Sequence, residues 1–508
     1  MPDAVGHGSL IGGDAVERER TGAAMTDEIE LKLELSPKEA HLLEASGLLA
    51  GDPKKQRQRS IYFDTADRRL AKAGLTLRIR RSGRKRIQTV KGNGGASAGL
   101  FTRPEWERSV ADDVPVIDDS TPIRALVGEL AARLAPVFEV RVERRTWTIR
   151  GRDAVIELVL DRGAAIAGDC RSPICECELE LKQGDAAALF ALARKLDAEL
   201  PVRLGILTKS ERGNALLRPR RMAFKAERIV LPKDATAADA FQRIVHNCLR
   251  QYRRNEDALL AGRSAEALHQ ARVALRRLRS AFFVFRTLVD HAGRRLNDEL
   301  RWLAAELGEA RNIDVLSDRA SHAALGDRLE TARRAAYADV NGALASSRTR
   351  ALMLDLAQWI TCGAWLGVAD ARHLRDQPAG EFADAVLDRL RRKVKRHGRD
   401  LADADDDARH RIRKDAKKLR YAADFFVALF DGKRAQRRYK RFVAALEALQ
   451  DQLGALNDLA MAPHLLRKLG LADAPGAASL VDLTDKQAML EALDEDYRAL
   501  IDAKRFWR

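Results

Sequence analysis

Three things are scarce in this 508-residue chain, and each scarcity removes a class of protein. Cysteine is the first. There are five, Cys170, Cys175, Cys177, Cys248 and Cys362, an odd number at irregular spacing. A disulfide framework needs a dense, even set, so a reducing compartment, the cytoplasm, is the expected location. Cys175 and Cys177 alternate along a strand-like run without the additional ligands a zinc site requires. The second absence is the long apolar run: no stretch approaches the roughly 18 residues of a membrane span, so no membrane is expected. Aromatics are the third, at 5% of the chain. That leaves little with which to stack unpaired bases, which disfavours single-stranded nucleic acid, although a basic patch alone does not exclude a duplex. Residues 1–25 are glycine-rich and hold no apolar core of signal-peptide length. They are expected to be a disordered extension, or sequence ahead of the true start.

What the chain does have is positive charge. Ninety Lys and Arg against 74 Asp and Glu give a formal charge of +16, which favours an anionic partner. Part of the excess is written twice. His269, Arg272, Arg276, Arg277, Leu278 and Arg279 recur as His410, Arg413, Lys417, Lys418, Leu419 and Arg420, each position displaced by 141 (410 − 269). Lys414 adds a cation to the second copy. On a helix, offsets of 0, 3, 7 and 10 fall in one stripe, so each copy lines up a histidine and three cations on one face. Like charges so stacked repel. Two such faces in one domain point to a concave surface for a polyanion.

The pattern of the chain changes near residue 220. Before it, polar and apolar residues alternate in Glu28–Leu35, Leu75–Arg80, Arg86–Lys91, Glu105–Val110, Val137–Ile149, Val155–Asp161 and Ile174–Lys182, the signature of antiparallel strands. Helices are expected near Pro37–Gly47, Pro122–Leu134 and Ala186–Leu200. Residues 216–232 read as a linker. Residues 233–470 carry near-continuous 3.6-residue periodicity and read as an all-α domain. Residues 471–508 read as a turn and a last helix.

The strands carry acids and bases in alternation: Glu28, Glu30 and Lys32 share one face, while Ile29, Leu31 and Leu33 share the other. Closed into a barrel, such a sheet would point one set inward, where unpaired charge is very costly. Inward cations with inward carboxylates suit a polyanion carrying a hard divalent metal. Asp64, Thr65 and Asp67 read as a turn or helix cap, and Trp106 and Trp147 as core.

These elements resemble the CYTH family, the triphosphate tunnel metalloenzymes. The carriers are Glu28-x-Glu30-x-Lys32, Tyr62-Phe63-Asp64-Thr65, the Leu77–Arg80 strand, Val90-Lys91, Arg103-x-Glu105-x-Glu107, the Glu176–Glu180 strand and Lys209-Ser210-Glu211-Arg212-Gly213, in the family's order over residues 26–215. The resemblance implies an eight-stranded antiparallel tunnel that hydrolyses a triphosphate with Mg²⁺ or Mn²⁺. It implies metal ligation by Glu28 and Glu30 with Glu157, Glu176, Glu178 or Glu180. Glu105 and Glu107 would complete the metal site or orient water, and Glu28, Glu30, Lys32, Glu105 and Glu107 form the expected catalytic set. Lys32, Arg57, Arg59, Arg78, Arg80, Lys91, Arg103, Arg141, Arg144 and Lys209 would grip phosphate, with the choice between Arg141 and Arg144 open.

The second half resembles the CHAD family, the conserved-histidine α-helical domains. His269-Gln270-Ala271-Arg272 leads into Arg276–Arg279, and His410-Arg411-Ile412-Arg413 leads into Lys417–Tyr421. Leu307-Gly308 before Arg311-Asn312 is echoed by Leu453-Gly454 before Asn457-Asp458. The resemblance implies two pseudo-repeated helical bundles. It also implies that polyphosphate binds to His269, Arg272, Arg276, Arg277, Arg279, His410, Arg413, Lys414, Lys417, Lys418 and Arg420. Protonation of the histidines near or below neutrality is expected to strengthen that binding, and Phe282, Phe283 and Tyr421 are expected to pack inward. Arg389–Arg399 is either a solvated face or an extension of the groove. The fused architecture resembles bacterial inorganic triphosphatases. The alternatives are a non-catalytic binder on polyphosphate granules, or an enzyme acting on thiamine or nucleoside triphosphates.

Overall fold

A computed structural model describes residues 24–508 apart from 50, 93–94, 97–98, 321, 400, 402–403 and 482–485, with backbone only at 24–28, 95–96 and 102–103. The expected N-terminal extension therefore lies outside the described residues up to 23, and Ala24 and Met25 already belong to the first strand.

Ten strands form one antiparallel sheet. They are β1 (Ala24–Glu34), β2 (Lys54–Asp64), β3 (Thr76–Ser82), β4 (Lys85–Lys91), β5 (Gly95–Ala96), β6 (Leu100–Ser109), β7 (Ala135–Arg150), β8 (Val155–Ala167), β9 (Cys170–Gln183) and β10 (Arg203–Leu204). The order is β10-β1-β9-β8-β7-β2-β3-β4-β6-β5, and β1 also pairs with β6 from Ala24↔Glu107 to Leu31↔Leu100. That extra pairing closes eight strands into a ring and leaves the two-residue strands β5 and β10 as additions. Leu31, Leu33, Leu158, Leu160, Cys177 and Leu179 point outward into a core with less than 2% of their surface exposed.

Five short helices dress the barrel: α1 (Pro37–Ala45), α2 (Arg69–Ala73), α3 (Ile123–Val127), α4 (Ala187–Glu199) and α5 (Lys209–Leu216). Asp64 accepts the backbone N–H groups of Thr65, Leu70 and Ala71, so it caps α2 as the turn chemistry predicts. The Lys209–Gly213 motif has a local reason too. Thr208 and Glu211 make a reciprocal cap at the start of α5. At Gly213 the helix crosses Phe138, whose ring would lie 2.1 Å from any Cβ.

The second half is helical: α6 (Ala237–Ala261), α7 (Ala265–Val284), α8 (His291–Glu306), α9 (Gly308–Arg319), α10 (Ala323–Ala345), α11 (Ser347–Cys362), α12 (Arg372–Arg375), α13 (Ala379–His397), α14 (Asp406–Phe426), α15 (Lys433–Lys468), α16 (Ala477–Leu480) and α17 (Lys486–Asp502). The repeat is visible in the helix starts, with α6 and α13 displaced by 142 and α7 and α14 by 141. The copies touch at equivalent points: Ala237 N–H donates to Gln377 C=O at 2.8 Å, and Ala379 N–H donates to Ala235 C=O at 2.9 Å. The scarce aromatics gather at the contact between the copies. Phe241 stacks on Phe285, Phe282 on Trp359, and Phe285 on Phe382. Each such pair adds about 0.5–1.5 kcal/mol beyond its buried area.

The two halves share one hydrophobic core. Arg194 of α4 bonds Asp355 of α11 at 2.6 Å, and Asp197 of α4 accepts from Arg350 of α11 at 2.6 Å. Among the described residues no single helix is long and apolar enough to cross a membrane. The pair Ser347–Leu366 and Ala369–Arg375, bent by 94°, meets those limits jointly, but Leu352, Leu356 and Ile360 of α11 are buried in the core.

Candidate functional site

The ring encloses a cavity of about 610 Å³ whose walls are charged. Nine cations and six carboxylates line it, a surplus of three positive charges (9 − 6). The acids concentrate on one wall. There β1, β9 and β8 lie side by side, and their register sets Glu30 opposite Glu180 and Glu180 opposite Glu157. Like charges directly opposite one another destabilise a sheet. Lys182 pairs with Glu180, and a row of three carboxylates presents the oxygen donors a hard divalent cation takes. Glu28 sits two residues before Glu30 with its backbone opposite Arg103; the side chains of Glu28 and Arg103 lie outside the described residues.

Beneath this wall lies a second acidic group, Asp161, Glu176 and Glu178, with carboxylate oxygens within 4.8 Å of one another. Its centre is filled by the Lys209 ammonium, at 2.7 Å from Asp161 and 2.8 Å from both Glu176 and Glu178. Lys32 bonds Glu176 at 3.1 Å and also Glu178. Arg144 bonds Asp161 at 2.6 Å and Glu178 at 3.2 Å. Burial alone would lower the Lys32 and Lys209 ammoniums, but the surrounding carboxylates raise both above the usual lysine range. Conversely, burial would raise Glu178, and Lys209, Lys32 and Arg144 hold it well below the usual carboxylate range. Three acids and three bases thus neutralise each other in place. Glu176, expected as a metal ligand, is fully buried in this network with two ammonium partners and does not line the cavity. The pairs continue through Arg212, 3.8 Å from Glu176, to Glu34, and then to Arg253 of α6 at 3.7 Å. The helical half therefore joins the barrel's charge network through Arg253, which also pairs with Asp257 and through it with Arg203 of β10.

The opposite wall is cationic. Lys91 on β4 lies 3.0 Å and Arg78 on β3 lies 3.9 Å from Glu105, and Arg80 on β3 lies 3.3 Å from Glu107. Arg144 completes the rim from β7. Arg57, Arg59 and Arg141, also expected to grip phosphate, point the other way. On β2, Lys54, Gln56, Gln58 and Tyr62 face the cavity, so Arg57 and Arg59 fall on the outer face. Arg141 lies three residues before the inward Arg144 and so has the opposite parity; it and Arg59 both bond Glu139 on the outside. Asp161 was missed as a network member, though it continues the alternation of Glu157 on β8.

In the helical half, α7 and α14 pack together. Arg413 and Lys417 of α14 lie close enough to Arg276 of α7 to perturb one another's charge. Burial, with Arg413, Arg276 and Arg420, pushes the Lys417 ammonium down to about 7. Burial, with Arg276 and Arg311, pushes Arg272 down to about 10. The Nε atoms of Arg272, Arg276, Arg279 and Arg413 are buried without a hydrogen-bond partner. Lys414 is exposed, and Lys418 lies 4.1 Å from the centre of the Phe283 ring, which is only partly buried rather than packed inward. Arg420 bonds Gln450 at 3.1 Å. Lys393 and His397 of α13 pair with Asp415, each at 2.9 Å.

Two expectations change here. Arg277 is 4% exposed, and its guanidinium is held by Gln251 at 2.8 Å and Asn247 at 3.1 Å, which places it in the core rather than the groove. His269 is pushed down to about 4 by burial and by Arg311 and Arg276, so it stays neutral near pH 7 instead of gaining a proton. His410 bonds Asn457 at 3.2 Å. Arg311, quoted within a repeated element but not as a ligand, belongs to the groove's charge cluster through its effects on His269 and Arg272.

Comparison with known proteins agrees with this division. Family models match the CYTH domain at residues 26–213 and the CHAD domain at residues 243–467. An inorganic triphosphatase of Haemophilus influenzae is 32% identical over 209 residues, 38% of this chain and 55% of that protein, so the chain matches about half of that relative's length. Among solved structures, the CHAD domain from the plant Ricinus communis is 33% identical and covers 55% of this chain and 97% of its own, with a TM-score of 0.48. A Hippeastrum protein described as a candidate adenylyl cyclase with a dominant triphosphatase activity is 21% identical and covers 37% of this chain and 95% of its own, with a TM-score of 0.31.

Proposed function

We propose, from the premise that this chain joins a CYTH domain to a CHAD domain, that its barrel hydrolyses the terminal phosphoanhydride bond of inorganic triphosphate with Mg²⁺ or Mn²⁺, and that its helical groove binds polyphosphate. The carrying observation is the in-register row Glu30–Glu180–Glu157 facing Arg78, Arg80 and Lys91 across one cavity.

In this reading Glu30, Glu157 and Glu180 hold the metal, with Glu28 beside them on β1. A bound divalent ion supplies charge neutralisation at the phosphoryl oxygens and a polarised water. Arg78, Arg80, Lys91 and Arg144 bind the phosphate oxygens, and their charge-assisted bonds fix the chain's direction. Glu105 and Glu107 hold Arg78, Arg80 and Lys91 on the far wall, while Asp161 and Glu178 hold Arg144. The paired Lys32, Lys209, Asp161, Glu176 and Glu178 keep the floor rigid, so little reorganisation accompanies the transfer. Phosphoryl transfer depends mainly on positioning and electrostatics, so no covalent nucleophile is required. In the groove the unpartnered Nε atoms of Arg272, Arg276, Arg279 and Arg413 and the depressed Lys417 would be relieved by an anion, and long phosphate chains supply regularly spaced anions without bases. A cytoplasmic location, with attachment to polyphosphate granules through the groove, belongs to the same reading.

Phosphate release from tripolyphosphate, ATP and thiamine triphosphate, each with Mg²⁺, Mn²⁺ or chelator, tests it. The expected result is metal-dependent release with tripolyphosphate preferred. Release from none, beside tight polyphosphate binding, would leave a non-catalytic binder; preference for ATP or thiamine triphosphate would move the substrate.

A further inference from the structure

A second cavity, of about 670 Å³, lies between the end of the barrel and α6. Thr76, Lys91, Thr208 and Ser210 line both this cavity and the one inside the barrel, so the two adjoin at the end of the ring that faces the helical half. Its outer lining is basic. Lys72 comes from α2, Arg228 from the segment before α6, and Arg243 from α6 itself. Among the described residues no carboxylate forms an ion pair with any of these three. The acids present are engaged elsewhere: Glu211 and Glu227 pair with Arg250, and Asp239 caps α6. His246 also lines the cavity; it is 9% exposed, and its Nε2 is buried with no hydrogen-bond partner. A buried polar atom without a partner costs about 1–3 kcal/mol, which a ligand able to hydrogen-bond would recover.

We propose that this cavity is a second phosphate subsite, which takes the distal phosphates of a chain whose reactive end lies in the barrel. This rests on the triphosphatase reading and extends its substrate class to linear phosphates longer than three. The junction carries the argument: Lys91 reaches Glu105 inside the barrel and still lines the outer cavity. A chain too long for the barrel has a cationic continuation at that end, bounded by the helical domain's first helix. The barrel alone would end at open solvent there.

The test is steady-state kinetics of the full chain on tripolyphosphate and on long-chain polyphosphate. It uses a background in which the α7–α14 groove is neutralised by Arg276→Gln and Lys417→Gln. Into that background go Lys72→Glu and Arg243→Glu, both exposed positions where folding is not at stake. The ratio of kcat/KM for the long chain to that for tripolyphosphate is expected to fall about tenfold through KM, and the salt dependence of the long-chain KM to flatten. An unchanged ratio would overturn the proposal, as would a parent enzyme whose KM is no lower for the long chain. Should tripolyphosphate release no phosphate at all, the triphosphatase reading falls separately. Titration of the same two proteins with polyphosphate would then decide the cavity, equal affinity counting against it.

Discussion

The barrel and the helical groove each concentrate charge, and they handle it in opposite ways. In the barrel every buried cation has a carboxylate within reach: Lys209 alone touches three. In the groove Arg272, Arg276, Arg413 and Lys417 face one another, and Lys417 gives up much of its affinity for a proton. The buried floor of the barrel is paired within itself, which under the proposed function gives a small, metal-loaded anion a fixed site. The groove sets like charges side by side, a repulsion that under the same reading a long anion would relieve. A catalytic site benefits from fixed partners that need no rearrangement; a holding site benefits from repulsion that binding removes.

The comparison breaks most visibly at the acid row. Glu30→Gln with Glu157→Gln is expected to lower kcat for phosphate release by about a hundredfold or more, while polyphosphate binding by the full chain, followed by titration, stays intact. Equal loss of both would mean the two regions are not separate.

Next in size is the floor network. Lys32→Met leaves Glu176 and Glu178 buried with one partner fewer, and is expected to cost about 3–5 kcal/mol in denaturant unfolding. Adding Glu176→Leu should restore part of that loss, because an apolar pair carries no desolvation penalty. No restoration would argue that the network is held together otherwise.

The groove carries its own dependence on pH. Lys417 has its folded value depressed to about 7 from 10.5. Between those values the unfolded chain binds more protons than the folded one, so stability rises as pH climbs from about 7 toward 10 and is flat below that window. Polyphosphate would bring the proton back. Titrations at pH 8 in buffers of different ionisation enthalpy should therefore show proton uptake on binding, and Lys417→Met should abolish it.

The smallest effect sharpens the boundary. Arg59→Gln with Arg141→Gln is expected to leave kcat/KM for tripolyphosphate within about twofold, because exposed charges outside a site contribute little at physiological salt. A tenfold loss would place the outer face in the substrate path.

These placements also mark what the sequence could and could not reveal. Strands β1, β3, β6 and β9 were legible because one face is apolar and packed against the core, which gives a clean period of two. Strand β2 was not: Lys54–Ser60 is polar at every position, since one face meets the wet cavity and the other meets solvent. Its arginines were therefore placed in the cavity by the family resemblance alone, and parity put them outside. Arg277 failed for the related helical reason. It is adjacent to Arg276, so it is rotated by about 100° and turned toward Asn247 and Gln251 of α6. Asp161 lay at the end of a recognised run, and what hid its role was the distance in sequence to Lys209 and Arg144. Spacing along a chain reports faces; it does not report which distant cation fills a gap between three acids.

The reciprocal pair of backbone hydrogen bonds joining Ala235–Ala237 to Gln377–Ala379 has one more meaning. A contact in which each half offers the same patch to the other is the isologous geometry of a symmetric homodimer. Covalent tethering makes that association independent of dilution. It also frees the two halves to diverge, which lets one keep an interrupted α8–α9 pair where the other runs on as the unbroken α15.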